Sequence, residues 1–143
     1  MNMQSRRKQP EGNCEGGVFV IEDSEVMQRR YQAVLEQNRI GICAIVGSGR
    51  EAVLLAPRIS PDVIILDHEL PDGTGLHIIA ALRSFCPEAS IVVISGVITA
   101  SLAQQYLAQG VCRLMGKPIN EAELVHLLRG MLVSQRQSVA TAG

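Results

Sequence analysis

The chain has no tryptophan and only two tyrosines and two phenylalanines among its 143 residues. Aromatic packing cannot dominate its core, so with 47% apolar residues Val, Ile, Leu and Ala must fill it. An excess of charge of either sign is missing: 13 basic and 14 acidic residues leave a net value of −1, which gives no broad electrostatic reason to bind nucleic acid or an anionic membrane. The one basic cluster, Arg6-Arg7-Lys8, reads as part of a solvated arm. No apolar run approaches the length of a membrane span and no secretory h-region follows the start, so a soluble, cytoplasmic protein with no membrane partner is expected. The four cysteines, Cys14, Cys43, Cys86 and Cys112, form no C-x-x-C pair and none stands at zinc-finger spacing from a histidine. Cys43 and Cys112 fall inside expected strands, where a free thiol behaves as a small hydrophobe. There is no internal repeat and no low-complexity tract.

What is present is an alternation of strand-like and helix-like segments within a chain of single-domain length. Residues 1–16 are polar, contain Pro10, Gly12 and Gly16, and read as a disordered arm. The globular part spans 17–133, and a polar tail covers 134–143. Strand one lies near 17–22. Ser24 is a candidate N-cap for helix one, which runs to about Gln37 with Met27, Tyr31, Val34 and Leu35 on one face. Strand two is Ile42–Val46, and helix two must end near Pro57. Pro61 opens strand three, and Pro71-Asp72-Gly73 is a strong turn signal in the loop that follows it. Helix three carries Leu76, Ile79 and Leu82 and stops before Pro87. Strand four leads to helix four, about 98–109, closed by Gly110. After strand five, Asn120 and Glu123 resemble a capping box for helix five, with Leu124, Leu127, Leu128 and Met131 inward. This (βα)5 order implies an α/β fold, a doubly wound parallel sheet covered on both faces.

The strand ends carry the chemistry. Val63-Ile64-Ile65-Leu66-Asp67 is apolar until its last member, as expected of a strand buried on both faces that delivers one carboxylate to the sheet's carboxyl edge. Val18-Phe19-Val20-Ile21 ends in Glu22-Asp23, Ile91-Val92-Val93-Ile94 in Ser95, and Val111 to Met115 shortly before Lys117-Pro118. Working sites in open α/β sheets lie beyond the carboxyl ends of the strands, so these groups converge. Carboxylates from strands one and three make a hard oxygen site suited to Mg²⁺, with Mn²⁺ as an alternative. Asp67 beside such an ion can attack phosphorus and form an aspartyl phosphate. The incoming negative charge needs Lys117 as a second cation and the Ser95 hydroxyl as donor, while Gly96 leaves room.

In these residues the chain resembles the receiver domains of two-component response regulators, over residues 17–133. The motifs are Glu22-Asp23, Asp67 with Leu70-Pro71-Asp72-Gly73, Ser95-Gly96 and Lys117-Pro118, in order and on the right elements. The resemblance implies a chemotaxis-regulator-like, flavodoxin-like fold with a five-stranded sheet in the order 2-1-3-4-5. It implies that Asp67 accepts a phosphoryl group from a phosphohistidine of a sensor histidine kinase or histidine phosphotransfer protein. Asp23, Asp67 and the backbone carbonyl of Glu69 would ligate the metal, with Glu22 acting through metal-bound water. Ser95, Gly96 and Lys117 would bind the phosphoryl oxygens, and the Lys117–Pro118 bond would be cis. Output would pass to a protein partner rather than directly to nucleic acid, and a homodimer through the helix four–helix five side is compatible with the family. The domain would promote its own phosphorylation and dephosphorylation without acting on a separate substrate.

Two departures stand out. The family usually places an aromatic three residues before the lysine, a conformational switch, and here that position is Leu114. The first acid is Glu22 rather than the commoner Asp. Glu69 and Val97, two residues after Asp67 and Ser95, would flank the phosphoryl group and influence its hydrolysis. His68 should point away from Asp67 by strand alternation and line the loop, and His77 and His126 read as surface residues on helices. Leu114 supports an alternative, a receiver-like interaction module that works without phosphorylation. A haloacid-dehalogenase-type phosphohydrolase would need D-x-D, which Asp67-His68-Glu69 and Asp23-Ser24-Glu25 do not supply. A flavin binder would need a hydroxyl- and glycine-rich phosphate loop where Glu22-Asp23-Ser24-Glu25 stands.

Overall fold

The computed structural model of the chain describes residues 16–142, with side chains described through Gln135. Five strands form one parallel sheet: β1 (Val18–Ile21), β2 (Ile42–Val46), β3 (Val63–Asp67), β4 (Ser90–Ser95) and β5 (Arg113–Gly116), in the order β2-β1-β3-β4-β5. Between them run α1 (Glu25–Gln37), α2 (Gly49–Leu55), α3 (Ile79–Phe85) and α4 (Ala100–Ala108), and α5 (Glu121–Ala142) closes the chain. The α/β class and the strand order are those expected from the sequence.

Alternation along the strands divides the core in two. Val18, Val20, Val63, Ile65, Val92 and Ile94 pack on Tyr31, Val34 and Leu35 of α1 and Leu124 and Leu128 of α5. Phe19, Ile21, Ile64, Leu66, Ile91 and Val93 pack on Ala52 of α2, Ile79 and Leu82 of α3, and Tyr106 of α4. The central strands β1 and β3 are buried along their whole length, which explains why they read as unbroken apolar runs.

The helix starts follow local chemistry. Ser24 Oγ accepts the Met27 amide at 3.2 Å, and Asn120 Oδ1 accepts that of Glu123 at 2.9 Å. Thr99 caps α4 through the Leu102 amide at 3.1 Å. α2 ends at Leu55, and Pro57 lies in the short 3₁₀ turn Ala56–Arg58 that follows. Gly110, at φ 89°, follows the end of α4 in the left-handed conformation that favours glycine.

Three expectations change. Residues from Ser134 onward are not a tail but the continuation of α5 to Ala142, because neither Gly nor Pro interrupts the stretch 131–142. Cys112 is exposed and precedes β5 rather than filling a strand, since pairing of that strand begins at Arg113. Cys43, on edge strand β2, is disulfide-bonded rather than a free thiol. Residues 1–15 of the expected arm, with Arg6-Arg7-Lys8 and Cys14, lie outside the described residues, whereas the Gly16 amide donates to the Ser60 carbonyl at 2.7 Å. Among the described residues no helix is long and apolar enough to cross a membrane.

Candidate functional site

Register builds the site. Leu66 lies opposite Ile21, Asp67 opposite Ile94 and Ser95 opposite Gly116, so the residues that end β1, β3, β4 and β5 share one edge. Backbone hydrogen bonds carry the alignment past the strands: the Glu22 amide donates to Val46, that of His68 to Ile94 and that of Lys117 to Ser95, at 2.9, 2.8 and 3.0 Å.

Asp67 is buried, and Lys117 Nζ stands 3.1 Å from its Oδ2. The Glu69 amide donates to Asp67 Oδ1 at 3.2 Å. Burial raises the Asp67 carboxyl above the usual range, with Lys117 opposing the rise. Burial alone would lower the Lys117 ammonium, but the charges of Asp67, Glu22 and Glu69 outweigh it and hold it above its ordinary value.

Glu22 is also buried, and its Oε2 accepts the Ser24 amide at 3.0 Å. Its Oε1 has no hydrogen-bond partner, the one such buried side-chain atom among the described residues. Burial, reinforced by Asp67 and opposed by the Ser24 amide and Lys117, pushes Glu22 up to about 7. One carboxylate oxygen from each of Glu22, Asp23 and Asp67 lies within 4.8 Å of the others, and Asp23 is exposed. An orphaned buried carboxylate oxygen beside two further acids fits a hard divalent cation, which would satisfy the lone pair and offset the repulsion.

On the far side of Asp67 stand the hydroxyl and amide donors. Ser95 is buried, donates its hydroxyl proton to the Val97 carbonyl at 2.6 Å and accepts the Val97 amide at 3.1 Å. Glu69 reaches over the same space, with Oε2 3.5 Å from Ser95 Oγ and Oε1 3.9 Å from Lys117 Nζ. A Cβ on Gly96 would meet nothing within 4 Å, so the approach beside Ser95 is open. The Lys117–Pro118 bond is cis, and Leu114 is a partly buried residue packed against the cluster that holds Tyr106.

Residues outside the expected set also shape this edge. The turn Pro71-Asp72 is closed by an antiparallel ladder of Glu69–Leu70 with Gly73–Thr74. The Asp72 carboxylate accepts the Gly49 and Arg50 amides at 3.0 and 2.9 Å, and these bonds hold it below the usual carboxylate range. Gln28 Nε2 donates to the Glu22 carbonyl at 2.6 Å, fixing the backbone beneath the acidic pair. His68 turns away from Asp67, and its Nδ1 lies 2.6 Å from the Tyr106 hydroxyl. None of these contacts has a local sequence signal beyond the turn that carries Asp72. His77 and His126 are exposed.

Comparison with known proteins places this arrangement. Residues 18–129 match the family model of the response regulator receiver domain. A protein-glutamate methylesterase/protein-glutamine glutaminase 3 of Myxococcus xanthus is 39% identical over 105 residues, which are 71% of this chain and 29% of that protein. The chain therefore spans less than a third of that relative. A response regulator receiver domain protein (CheY-like) from Methanospirillum hungatei superposes with a TM-score of 0.79 at 17% identity, covering 87% of this chain and 98% of that one. A response regulator from Burkholderia pseudomallei, solved with a phosphorylated aspartic acid, calcium ion and citrate, does so with a TM-score of 0.72 at 25% identity, covering 91% of this chain and 73% of that one. The chain belongs to the response regulator receiver domain family.

Proposed function

We propose that the chain is a phosphoacceptor of a two-component phosphorelay and that Asp67 is its acceptor. The observation that carries this reading is the pairing of a buried Asp67 with Lys117 at 3.1 Å, beside two further acids, one of which leaves a buried oxygen unpartnered. A structural ion pair has no need of that added repulsion, whereas a metal-assisted acceptor does.

Asp23, Asp67 and the Glu69 carbonyl are the expected metal ligands, with Glu22 acting through bound water. Mg²⁺, or Mn²⁺ in its place, supplies charge neutralisation for the phosphoryl oxygens. An Asp67 carboxylate oxygen attacks phosphorus while the bond from phosphorus to a histidine nitrogen of the donor breaks, and the imidazole keeps the electron pair. Lys117 then shifts from the carboxylate toward a phosphoryl oxygen, and Ser95 donates its hydroxyl proton to another. Attack by water at phosphorus returns inorganic phosphate and the free carboxylate. No separate substrate is involved.

The donor is a sensor histidine kinase or a histidine phosphotransfer protein, and the output is contact with a protein partner. Borohydride reduction of labelled protein followed by peptide mapping tests the assignment. Reduction to homoserine at position 67 supports it, and an acyl phosphate at another carboxylate contradicts it. Leu114 favours a second reading, an interaction module independent of phosphorylation, for which no acyl phosphate would form at all.

A further inference from the structure

One polar pair beside the site has no part in that chemistry. His68 follows Asp67 directly, and strand alternation turns its ring to the α4 side of the sheet. There its Nδ1 lies 2.6 Å from the Tyr106 hydroxyl, with the rings edge to face at 82° and centroids 5.5 Å apart. Tyr106 is fully buried, and with Tyr31 it is among the largest buried side chains of the described residues. Its phenol occupies a slot that exists because residue 75 is glycine. A Cβ at Gly75 would stand 2.6 Å from the Tyr106 hydroxyl and 3.1 Å from Leu66 Cδ2. The Gly75 amide in turn donates to the His68 carbonyl at 2.8 Å, closing the loop that carries Glu69. The hydroxyl of Tyr106 is therefore bonded to the base of the acceptor loop.

α4 has a second tie to the same site. The Ser95 hydroxyl has one proton, and the Val97 carbonyl now holds it at 2.6 Å. A phosphoryl oxygen that takes this proton takes it from the segment leading into α4. Leu114, packed against the same cluster, has no polar group with which to report on the site.

We propose that the His68–Tyr106 hydrogen bond is the positioning contact through which the state of Asp67 reaches α4. It acts together with release of Val97 by Ser95, so α4 is governed from two points of the site. The proposal rests on the reading of Asp67 as phosphoacceptor.

The chain offers its own probe. With two tyrosines and no tryptophan, Tyr31→Phe leaves Tyr106 as the sole emitter and near-ultraviolet chromophore of its class. The full chain carrying Tyr31→Phe is incubated with acetyl phosphate and Mg²⁺, and the adduct is followed by intact mass. The expected result is a change in tyrosine emission and absorbance that tracks the adduct. Amide exchange across Ala100–Ala108 is then compared at equal labelling. Tyr106→Phe, and His68→Phe, which keeps a ring but removes the nitrogen, should diminish the response of α4, leaving only the part carried by Ser95, while residues 97–99 still respond in full. A flat Tyr106 signal as the adduct accumulates overturns the proposal, even where Tyr106→Phe does not fold. A full α4 response in either variant also overturns it. Absence of adduct in the Tyr31→Phe protein overturns the phosphoacceptor reading and this proposal with it.

Discussion

Lys117 Nζ lies 3.1 Å from Asp67 Oδ2 and 3.9 Å from Glu69 Oε1, so one ammonium is shared between the proposed acceptor and the side chain that stands over it. The two carboxylates differ in setting: Asp67 is 3% exposed at its side chain and Glu69 is 51% exposed. The buried contact holds the acceptor in place, while the exposed one is weak enough to be exchanged for an incoming anion.

Glu69 therefore competes with the phosphoryl group for both Lys117 and the Ser95 hydroxyl. Glu69→Ala should raise the initial rate of labelling by acetyl phosphate roughly 3- to 10-fold, the equivalent of about 1 kcal/mol of relieved repulsion. The rate is read by intact mass at fixed Mg²⁺. An unchanged or slower rate would mean that Glu69 does not obstruct the pocket.

The metal-free stability of the chain should fall between about pH 4.5 and pH 7. Glu22 is raised from 4.5 to about 7 in the folded state, so over that interval the native protein retains a proton that the unfolded chain has released. Stability then declines with rising pH, and the loss levels off above the folded value, amounting to on the order of 3 kcal/mol. Asp67 is shifted in the same direction and adds to the slope. Urea unfolding across this range should show the decline, and Glu22→Gln should flatten it.

Mg²⁺ should reverse that loss. Because the cation binds the ionised acids, its stabilising effect should be larger at pH 8 than at pH 6, the opposite of the metal-free trend. Thermal unfolding with and without millimolar Mg²⁺ measures this directly. Asp23→Ala should abolish the Mg²⁺-dependent shift in Tm while leaving the metal-free Tm close to that of the parent, since Asp23 is exposed.

Gly75→Ala should destabilise the fold by about 1–3 kcal/mol, because the added methyl meets the Tyr106 hydroxyl and the Leu66 side chain in a closed interior. Equilibrium denaturation reads the loss. A neutral substitution would show that the slot around Tyr106 is looser than these contacts require.

The residues of the acidic edge were readable in advance because each is announced locally. A strand that is apolar until Asp67, the paired acids after Ile21, the hydroxyl after Ile94 and Lys117-Pro118 all sit where parallel pairing brings strand ends together. The direction of His68 followed from the same alternation. Its partner did not, since Tyr106 stands 38 positions away on another element and nothing local to either residue shows that the two meet. The capping of α2 by Asp72 was hidden for the same reason, although the turn that carries Asp72 was plain. The expected tail failed for a different cause: polar residues without Gly or Pro suit an exposed helix as well as a coil, and α5 continues through them. Cys112 was misplaced because a strand boundary is set by its pairing partner, here Val92 opposite Arg113.

The most direct measurement is the intact mass of the parent chain and of Asp67→Asn after incubation with acetyl phosphate, with and without Mg²⁺. A single phosphoryl adduct that requires both the metal and Asp67 is the predicted result. No adduct on the parent, under conditions that label a control receiver domain, or an adduct of equal yield on Asp67→Asn, would contradict the assignment of Asp67 as the acceptor.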